Sequence, residues 1–354
     1  MTSDRYFRNT KKRLLEDLDR FLSAKRGEMS RLKPWGNDVI RRLKRFTGKG
    51  KMIRGGLVCL GYEMAGRRLA GSAVRAGTAL ELIQSALLIH DDIMDKDVRR
   101  RGEPAVHEQY ARLAEGSDLE GASHFGLSMG ICAGEIAIFL AFEALAGLSG
   151  LPERTGEVQK LFAAEFGLVG LGQMRDIETG TSALALSERD VLDLYRYKTA
   201  RYSFSLPLVA GWILAGGKPS VRKRLERLGE DLGLVFQVKD DELGLFGDAK
   251  VLGKPVGSDI RQGKKTLIYL RLLDKASAEE REKLDSVFGR TDASERDILY
   301  VRSLAESHGI AADIRRSMKG YAQRARRLIE RLPVKAAHRE VLESFLDFNI
   351  RRKS

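Results

Sequence analysis

Four aspartates lie within seven residues in the segment DDIMDKD at 91–97. In a helix, Asp91 and Asp95 would project from one face, with Asp92 about 100° around the axis. Like charges at this spacing destabilise an isolated helix. Mg²⁺ prefers oxygen ligands and commonly binds a few carboxylates, waters and substrate phosphates. The segment therefore predicts a Mg²⁺ site, and a solvated acidic face is the alternative.

A second acidic pair, Asp240 and Asp241, ends the apolar helical segment LGLVFQVKDDEL. If the two acidic segments lie on facing helices, they can hold several divalent ions with a diphosphate between them. Each pair of adjacent aspartates could also be an ordinary surface feature. Because both clusters end apolar helices and basic residues follow each, the metal-site interpretation is favoured.

Basic residues accompany both clusters. Arg99, Arg100 and Arg101 follow the first cluster, and a guanidinium binds phosphate oxygens through two parallel hydrogen bonds. The segment GKGKMIRGGL at 48–57 could bind a second anion at the start of a helix. A solvated surface is the alternative in both places. Further candidates for binding phosphate are Lys51, Arg54, Lys198, Thr199, Lys254, Lys264 and Lys265.

The elements that must position these residues are helices. Apolar residues recur at three- and four-residue spacing in segments 11–22, 73–92, 134–148, 157–178, 189–214, 221–243 and 339–350. No internal repeat or long linker divides the chain. We predict a single all-α domain over 1–354, with an N-terminal helical segment at 1–35, a Gly- and Lys-rich flap at 244–266 and a basic tail at 349–354.

Composition is that of a globular protein, with 43% hydrophobic and 31% charged residues. The net charge of +13 favours an anionic partner without identifying it.

Cys59 and Cys132 lie in apolar surroundings and are expected to be reduced core residues of a cytoplasmic protein. The N-terminus lacks the apolar region of a signal peptide. The apolar stretch at 126–151 contains two glutamates, so we expect a buried helix and no membrane span.

Together these segments resemble the trans-isoprenyl diphosphate synthases, the polyprenyl synthetase family. GKMIRG is similar to the family's Gly-Lys-Arg-x-Arg-Pro element, and HDDIMDKDVRRRG resembles its first aspartate-rich motif. KTA and FQVKDDELGLFGDAKVLGKPVGSDIRQGKKT resemble the lysine element, the second aspartate-rich motif and the flap. The order along the chain, from about 48 to 267, is the family's order, and the resemblance is greatest to the geranylgeranyl and farnesyl diphosphate synthases.

The resemblance implies an isoprenoid synthase fold with a deep cavity, a homodimer, and three Mg²⁺ ions with substrate bound. It implies 1′-4 condensation of isopentenyl diphosphate with an allylic diphosphate. By position, it assigns Mg²⁺ to Asp91, Asp92, Asp95, Asp240 and Asp241. It assigns isopentenyl diphosphate to Lys51, Arg54, Gln84 and Arg101, and the allylic diphosphate to Arg100, Lys198, Thr199, Gln237, Lys254 and Lys264.

The sequence departs from the family pattern at four positions. Met52 stands where the family usually has arginine, and Gly55 where it has proline. Gln84 replaces a common histidine, as in farnesyl diphosphate synthases, and Gly244 replaces the last aspartate of the second motif, as in some bacterial and archaeal relatives. Binding of isopentenyl diphosphate is therefore expected to be altered, without loss of activity.

Product length is expected to depend on residues preceding Asp91. Farnesyl-producing relatives have an aromatic residue four or five positions before the first aspartate, where this chain has Leu87 and Ala86. One helical turn rises about 5.4 Å, close to one isoprene unit. We therefore predict a C20 product, geranylgeranyl diphosphate, with Ile83 as a deeper stop. A C15, C25 or longer product is the alternative. Ala86 could also be an ordinary core residue, packed by a neighbour, that does not set the product length.

Three other functions remain open. A terpene cyclase would usually carry an Asn/Asp-Ser/Thr-Glu metal triad where this chain has DDELG. A non-catalytic partner subunit would have lost its acidic clusters, and both are present. A nucleic-acid-binding protein would need a basic face free of carboxylates, so no such partner is expected.

The tail NIRRKS could cover the isopentenyl diphosphate site, although a solvated terminus is more common.

Overall fold

Helices make up nearly all the regular structure of the computed structural model, which describes residues 2–115, 121–181, 186–248 and 256–352. This confirms the predicted all-α fold. The helices are α1 Ser3–Met29, α2 Trp35–Gly48, α3 Ile53–Met64, α4 Gly71–Met94, α5 Val106–Glu115, α6 Ala122–Ala146, α7 Pro152–Thr181, α8 Glu188–Tyr195, α9 Leu206–Leu214, α10 Pro219–Phe246, α11 Ser258–Arg261, α12 Leu267–Lys275, α13 Ala278–Asp285, α14 Glu295–Ser307, α15 Ile310–Glu330 and α16 Ala336–Arg351. Two short strands, β1 Arg99–Arg100 and β2 Glu103–Pro104, form an antiparallel hairpin between α4 and α5.

The chain forms two compact units. The N-terminal unit consists of Asp4–Leu161 and Pro207–Lys218. The C-terminal unit consists of Phe162–Leu206 and Pro219–Ser354, together with Met1–Ser3. The first acidic cluster belongs to the N-terminal unit and the second to the C-terminal unit. The single domain predicted from the sequence stays a prediction.

In the N-terminal unit, small residues bring α6 close to the acidic end of α4. A Cβ atom at Gly134 would lie 2.1 Å from Nε2 of His90, and one at Gly130 would lie 2.8 Å from Cδ1 of Ile93. His90 and Ile93 flank the first aspartate pair of α4. Because side chains at either glycine would collide with α4, these glycines fix the place where the acidic cluster sits in its unit.

The opposite face of α6 is exposed, which differs from the buried helix expected from the sequence. Ile131 is 49% exposed and Phe139 is 69% exposed. Cys132 is also exposed, so the prediction of two core cysteines is wrong for Cys132 and correct for the buried Cys59. Among the described helices, α6 alone has the length and apolar composition to cross a membrane, which by itself is a weak indication.

In the C-terminal unit, the helix predicted over 189–214 is not one regular helix. Between α8 and α9 the chain forms a π-helix, Arg196–Ser205, which contains Lys198 and Thr199. A Cβ atom at Gly233 of α10 would lie 2.2 Å from Cβ of Ala200. One at Gly172 of α7 would lie 3.0 Å from the backbone nitrogen of Lys198. Glycines on two neighbouring helices therefore accommodate the wider π-helix, which frequently marks functional sites.

Replacing Gly233 with alanine is expected to lower the free energy of unfolding by about 2 kcal/mol, because the new methyl group must displace Ala200. Urea unfolding measures this change. Gly320→Ala is the matched control: Gly320 lies within α15 and has open space around its Cβ position. Alanine there should raise stability by about 0.5–1 kcal/mol through helix propensity. Equal effects at the two positions would contradict the close-packing argument.

Candidate active site

Asp92, near the end of α4, is fully buried and only one of its carboxylate oxygens has a partner. Nε of Arg100 donates to Oδ1 at 2.5 Å, and Nη2 of Arg100 donates to Asp97 at 2.8 Å. Oδ2 of Asp92 is buried without a hydrogen-bond partner among the described residues. Burial raises the pKa of Asp92 to about 6, against the opposing charge of Arg100. Such a partnerless buried oxygen needs an explanation, and a cation ligand would supply one.

The other two predicted Mg²⁺ ligands of the first cluster, Asp91 and Asp95, are partly buried. The Asp95 N–H donates to the Asp91 carbonyl at 2.8 Å, and Asp95 is the C-cap residue of α4. Asp91 and Asp92 therefore lie on the last turn of α4, and Asp95 follows directly at its C-cap. Their role in binding Mg²⁺ stays a prediction.

The β-hairpin, which the sequence reasoning did not foresee, positions the two predicted phosphate-binding arginines. Its tip residues Arg101 and Gly102 have φ of 54° and 78°, the positive values that type I′ turns require at both central positions. A left-handed non-glycine residue costs about 1–2 kcal/mol. Arg101 is therefore held in a strained conformation, a feature that concentrates at functional sites.

Arg101 turns toward the C-terminal end of α2. Its Nη1 donates to the Phe46 carbonyl and its guanidinium lies 4.8 Å from the centre of the Phe46 ring. Burial, together with the charges of Arg54 and Arg100, lowers the pKa of Arg101, and Glu81 opposes this shift. The two cations outnumber the single carboxylate of Glu81, so a bound anion would reduce the repulsion between Arg54 and Arg101.

Glu81 of α4 is the carboxylate between them, and the sequence reasoning missed it. It is buried, and the Gly55 N–H donates to its Oε1 at 2.8 Å. Burial raises the pKa of Glu81, while the Gly55 amide and the charges of Arg54 and Arg101 oppose the rise. Met52, at the N-cap of α3, has φ of 54° and makes no side-chain cap, so Glu81 caps α3 from another helix. An acid inside the apolar segment ALELIQSALLI was the available signal.

The other predicted residues of this unit are placed as follows. Lys51 is exposed two residues before α3. Gln84 is buried, and its Oε1 has no hydrogen-bond partner in the described part of the chain. Ile83 and Ala86 are fully or nearly fully buried on α4, and Leu87 is partly exposed. The structure thus groups Arg54 and Arg101 around Glu81 and leaves Lys51 in solvent.

The C-terminal unit contains a cavity of about 100 Å³ that is lined by charged residues. Five residues predicted from the sequence line it: Lys198, Thr199, Gln237, Asp241 and Lys264. The other lining residues include Asp176, Tyr195, Asp259 and Lys265. Of these, Asp176, Tyr195 and Asp259 were not identified as site residues, although the segments GQMRDIE and GSDIRQGKKT contain two of them.

Asp241 accepts hydrogen bonds on both of its carboxylate oxygens. The Tyr195 hydroxyl donates to its Oδ2, and Nε2 of Gln237 donates to its Oδ1 at 3.2 Å. Burial, and then the negative charge of Asp259, raises the pKa of Asp241 to about 8. Both carboxylate oxygens are therefore engaged within the protein. Asp241 orients Gln237 and Tyr195 here, and its predicted role as a metal ligand stays a prediction.

Lys198 and Asp176 form an ion pair across the same cavity. Burial lowers the pKa of Lys265, which lies beside Lys264 at the end of the flap segment. Gly244 faces Asp259: a Cβ atom at Gly244 would lie 3.1 Å from Asp259 Oδ2. The position where the family pattern has an aspartate thus leaves space for the carboxylate of Asp259.

Two predicted parts of the site lie wholly or partly outside the described residues. Lys254 is outside them, as are positions 249–255 of the flap. Of the basic tail, 349–352 are described, and Arg352 bonds to Asp240 of α10 at 2.5 Å. The predicted covering of the isopentenyl diphosphate site by the tail stays a prediction.

In the described residues, no three His, Cys, Asp or Glu side chains converge to hold a metal ion by themselves. Mg²⁺ sites in phosphate-binding proteins commonly use one or two carboxylates and complete the coordination with waters and phosphate oxygens. The open Oδ2 of Asp92 fits such a site. The facing arrangement of the two acidic clusters stays a prediction, because they belong to different units.

The model of the polyprenyl synthetase family matches residues 38–305, which is more than half of the chain. The chain belongs to the polyprenyl synthetase family. This polyprenyl synthetase is 34% identical, over 87% of its length and 88% of the relative's, to a short chain isoprenyl diphosphate synthase of Methanothermobacter thermautotrophicus. It is 32% identical, over the same shares, to a geranylgeranyl diphosphate synthase of Saccharolobus solfataricus.

A solved structure gives the same result. The chain superposes with a TM-score of 0.91 and 29% identity on a geranylgeranyl pyrophosphate synthase from Corynebacterium glutamicum, crystallised with isoprenyl diphosphate and magnesium. The alignment covers 99% of this chain and 100% of the other. The fold and the family expected from the sequence are therefore confirmed, and the chain is a prenyltransferase.

Proposed function

We propose that this polyprenyl synthetase condenses isopentenyl diphosphate with an allylic diphosphate, head to tail (1′-4), and makes all-trans C20 geranylgeranyl diphosphate. The observation that carries the proposal is the buried Asp92 carboxylate, which has one oxygen on Arg100 and the other without a partner, at the end of an acidic helix. The geranylgeranyl diphosphate synthase relative supports the product length.

We propose that Asp91, Asp92 and Asp95, with Asp240 and Asp241, hold three Mg²⁺ ions together with the diphosphate. Bound Mg²⁺ would supply Lewis-acid neutralisation of the charge on the leaving diphosphate. The hard carboxylate donors and the open Oδ2 of Asp92 fit this ion.

The chain's own residues have separable tasks in the proposed mechanism. Arg100, Lys198 and Lys264 place positive charge beside the allylic diphosphate, which weakens its C–O bond as negative charge develops on the oxygen. The resulting allylic cation is stabilised by dipoles: the Lys198 carbonyl in the π-helix, the Thr199 hydroxyl and the Gln237 amide. The bond from Gln237 Nε2 to Asp241 fixes this amide in one orientation.

Isopentenyl diphosphate is held by Arg54 and Arg101, with Lys51 and Gln84 as further partners. Its double bond attacks the allylic cation, the new carbon–carbon bond forms, and one proton leaves to the departed diphosphate. Because Arg54 and Arg101 repel each other near Glu81, a bound diphosphate relieves their repulsion. This provides a physical reason for anion binding at that place.

A purified-protein assay tests the proposed reaction. The protein is incubated with Mg²⁺, isopentenyl diphosphate and each of the C5, C10 and C15 allylic diphosphates, and the products are sized. We expect C20 as the main product from every primer and no reaction after chelation of the metal. Cyclic hydrocarbons would favour a terpene cyclase, and no elongation would contradict the proposal.

We further propose that the exposed face of α6 joins two copies of the chain. Ile131 and Phe139 are eight residues apart on this face, and a twofold dimer brings identical patches together. Phe139→Glu should therefore shift the protein from dimer to monomer in sedimentation. Leu299→Glu, at another exposed apolar residue on α14, is the matched control and should leave the mass unchanged. A wild-type monomer would contradict this proposal.

A further inference from the structure

Arg352, one residue beyond the end of α16, reaches back to the second aspartate-rich motif. Its Nη2 lies 2.5 Å from Oδ1 of Asp240. The same nitrogen donates to the Phe236 carbonyl at 2.8 Å, and the guanidinium lies 4.1 Å from the centre of the Phe236 ring. A single side chain thus contacts one full turn of α10, from Phe236 to Asp240.

Arg352 is the fixed member of this pair. Its side chain is 8% exposed, whereas that of Asp240 is 42% exposed. The helix before it is anchored by buried residues, among them Phe345, whose ring lies 6.1 Å from that of Phe204. Phe204 in turn packs against Phe236 at 5.5 Å. The carbonyl and the ring of Phe236 thus contact Arg352 in addition to its ion pair with Asp240.

Stability alone does not explain this arrangement. Nε of Arg352 is buried without a hydrogen-bond partner among the described residues. A buried unpaired donor costs about 1–3 kcal/mol. An arginine left in solvent would avoid that cost, so the buried position of Arg352 is consistent with a role beyond stability.

The first acidic cluster also contains an arginine that bonds to one carboxylate oxygen. There Arg100 bonds to one oxygen of Asp92, and the other oxygen has no partner among the described residues. At Asp240, the ion pair with Arg352 likewise uses Oδ1. Arginines from outside the helices therefore hold one oxygen of an aspartate in each motif. Residues that hydrogen-bond to a metal-ligating carboxylate commonly orient it for the metal.

We propose that Arg352 is a positioning residue for the reaction: it holds Oδ1 of Asp240 and thereby presents Oδ2 to the Mg²⁺–diphosphate complex. Arg352 is then a functional part of the second acidic cluster. This inference rests on the proposed function, because it needs Asp240 to act in binding Mg²⁺ and diphosphate.

The test is Arg352→Gln in the full-length protein, with calorimetric binding of Mg²⁺ in the presence of inorganic diphosphate. The affinity should fall about tenfold or more, as for other residues that orient metal ligands. In the condensation assay kcat should fall, with little change in KM for isopentenyl diphosphate. Arg352→Lys should recover part of the binding, because it keeps the charge without the planar fork.

A double-mutant cycle shows whether Arg352 acts through Asp240. Asp240→Asn alone should weaken binding of Mg²⁺ and diphosphate, and adding Arg352→Gln should change it by less than about twofold. Additive losses, unchanged binding in Arg352→Gln, or tighter binding from release of a competing cation would each overturn the inference.

Two controls separate other causes. Arg326→Gln, on α15, removes an ion pair with Asp347 of α16 and should leave binding and thermal unfolding as in the wild type. Thermal unfolding of Arg352→Gln verifies that the variant is folded. If the wild type neither binds Mg²⁺ with diphosphate nor elongates a primer, the proposed function fails and this inference with it. If the wild type does both and Arg352→Gln matches it, only this inference fails.

Discussion

Asp92→Asn is expected to lower kcat/KM for condensation at least about a hundredfold, the size of effect seen when one group that stabilises transition-state charge is removed. Asparagine keeps the shape of the side chain and can still accept a hydrogen bond from Arg100. It removes the negative charge and one oxygen of the carboxylate, whose Oδ2 has no partner within the described residues. The loss is measured with saturating Mg²⁺ and a C15 primer.

The same variant should be at least as stable as the wild type. Asp92 is a fully buried carboxylate whose pKa burial raises to about 6, so its charge is costly to the fold. A pKa raised on folding means that the charged form of Asp92 disfavours the folded state near neutral pH, and a neutral amide of the same size removes that cost. Arg100 keeps Asp97 as a partner at 2.8 Å. Urea unfolding of Asp92→Asn measures this, and a marked loss of stability would show a structural role.

Asp97→Asn is the matched control, because Asp97 also accepts a hydrogen bond from Arg100 but lies 39% exposed. Its kcat/KM should fall less than about tenfold, the modest effect of one half-exposed ion pair. Equal losses in the two variants would show that the activity depends on holding Arg100. An active Asp92→Asn enzyme would contradict the role proposed for the first acidic cluster.

Ala86→Phe is expected to change the product from C20 to C15. Ala86 is fully buried on α4, five residues before Asp91. A growing chain that extends along α4 from the acidic end would meet the new ring about 7 Å from Asp91, since each residue rises about 1.5 Å. The products of the C5 and C10 primers are sized by chromatography. Continued synthesis of C20 by a folded variant would show that Ala86 is not at the floor of the site.

The control for Ala86→Phe is Ala79→Phe. Ala79 is equally buried on the same helix, about 10 Å further from the acidic end. Both substitutions add a ring to a filled interior and should cost about 1–3 kcal/mol of stability. Only Ala86→Phe should shorten the product. If both variants shorten it, general disturbance of α4 would explain the change better than a floor at Ala86.

Local sequence predicted the helices that carry the chemistry. The three- and four-residue spacing of apolar positions identified α4 and α10, because helix periodicity is set within a few turns of the chain. The clustering of Asp91, Asp92 and Asp95 at the C-terminal end of α4 followed from the same geometry. Five residues named from the sequence line one cavity in the C-terminal unit.

The tertiary structure alone decided which partner each charged group takes. Spacing did not indicate that Arg100 would bind Asp92, that Glu81 would cap α3, or that the chain would form a π-helix at Lys198. The contact of Arg352 with Asp240 joins residues more than a hundred positions apart. Periodicity records which side of a helix is apolar, whereas the partner of a buried charge depends on which distant segment packs against it.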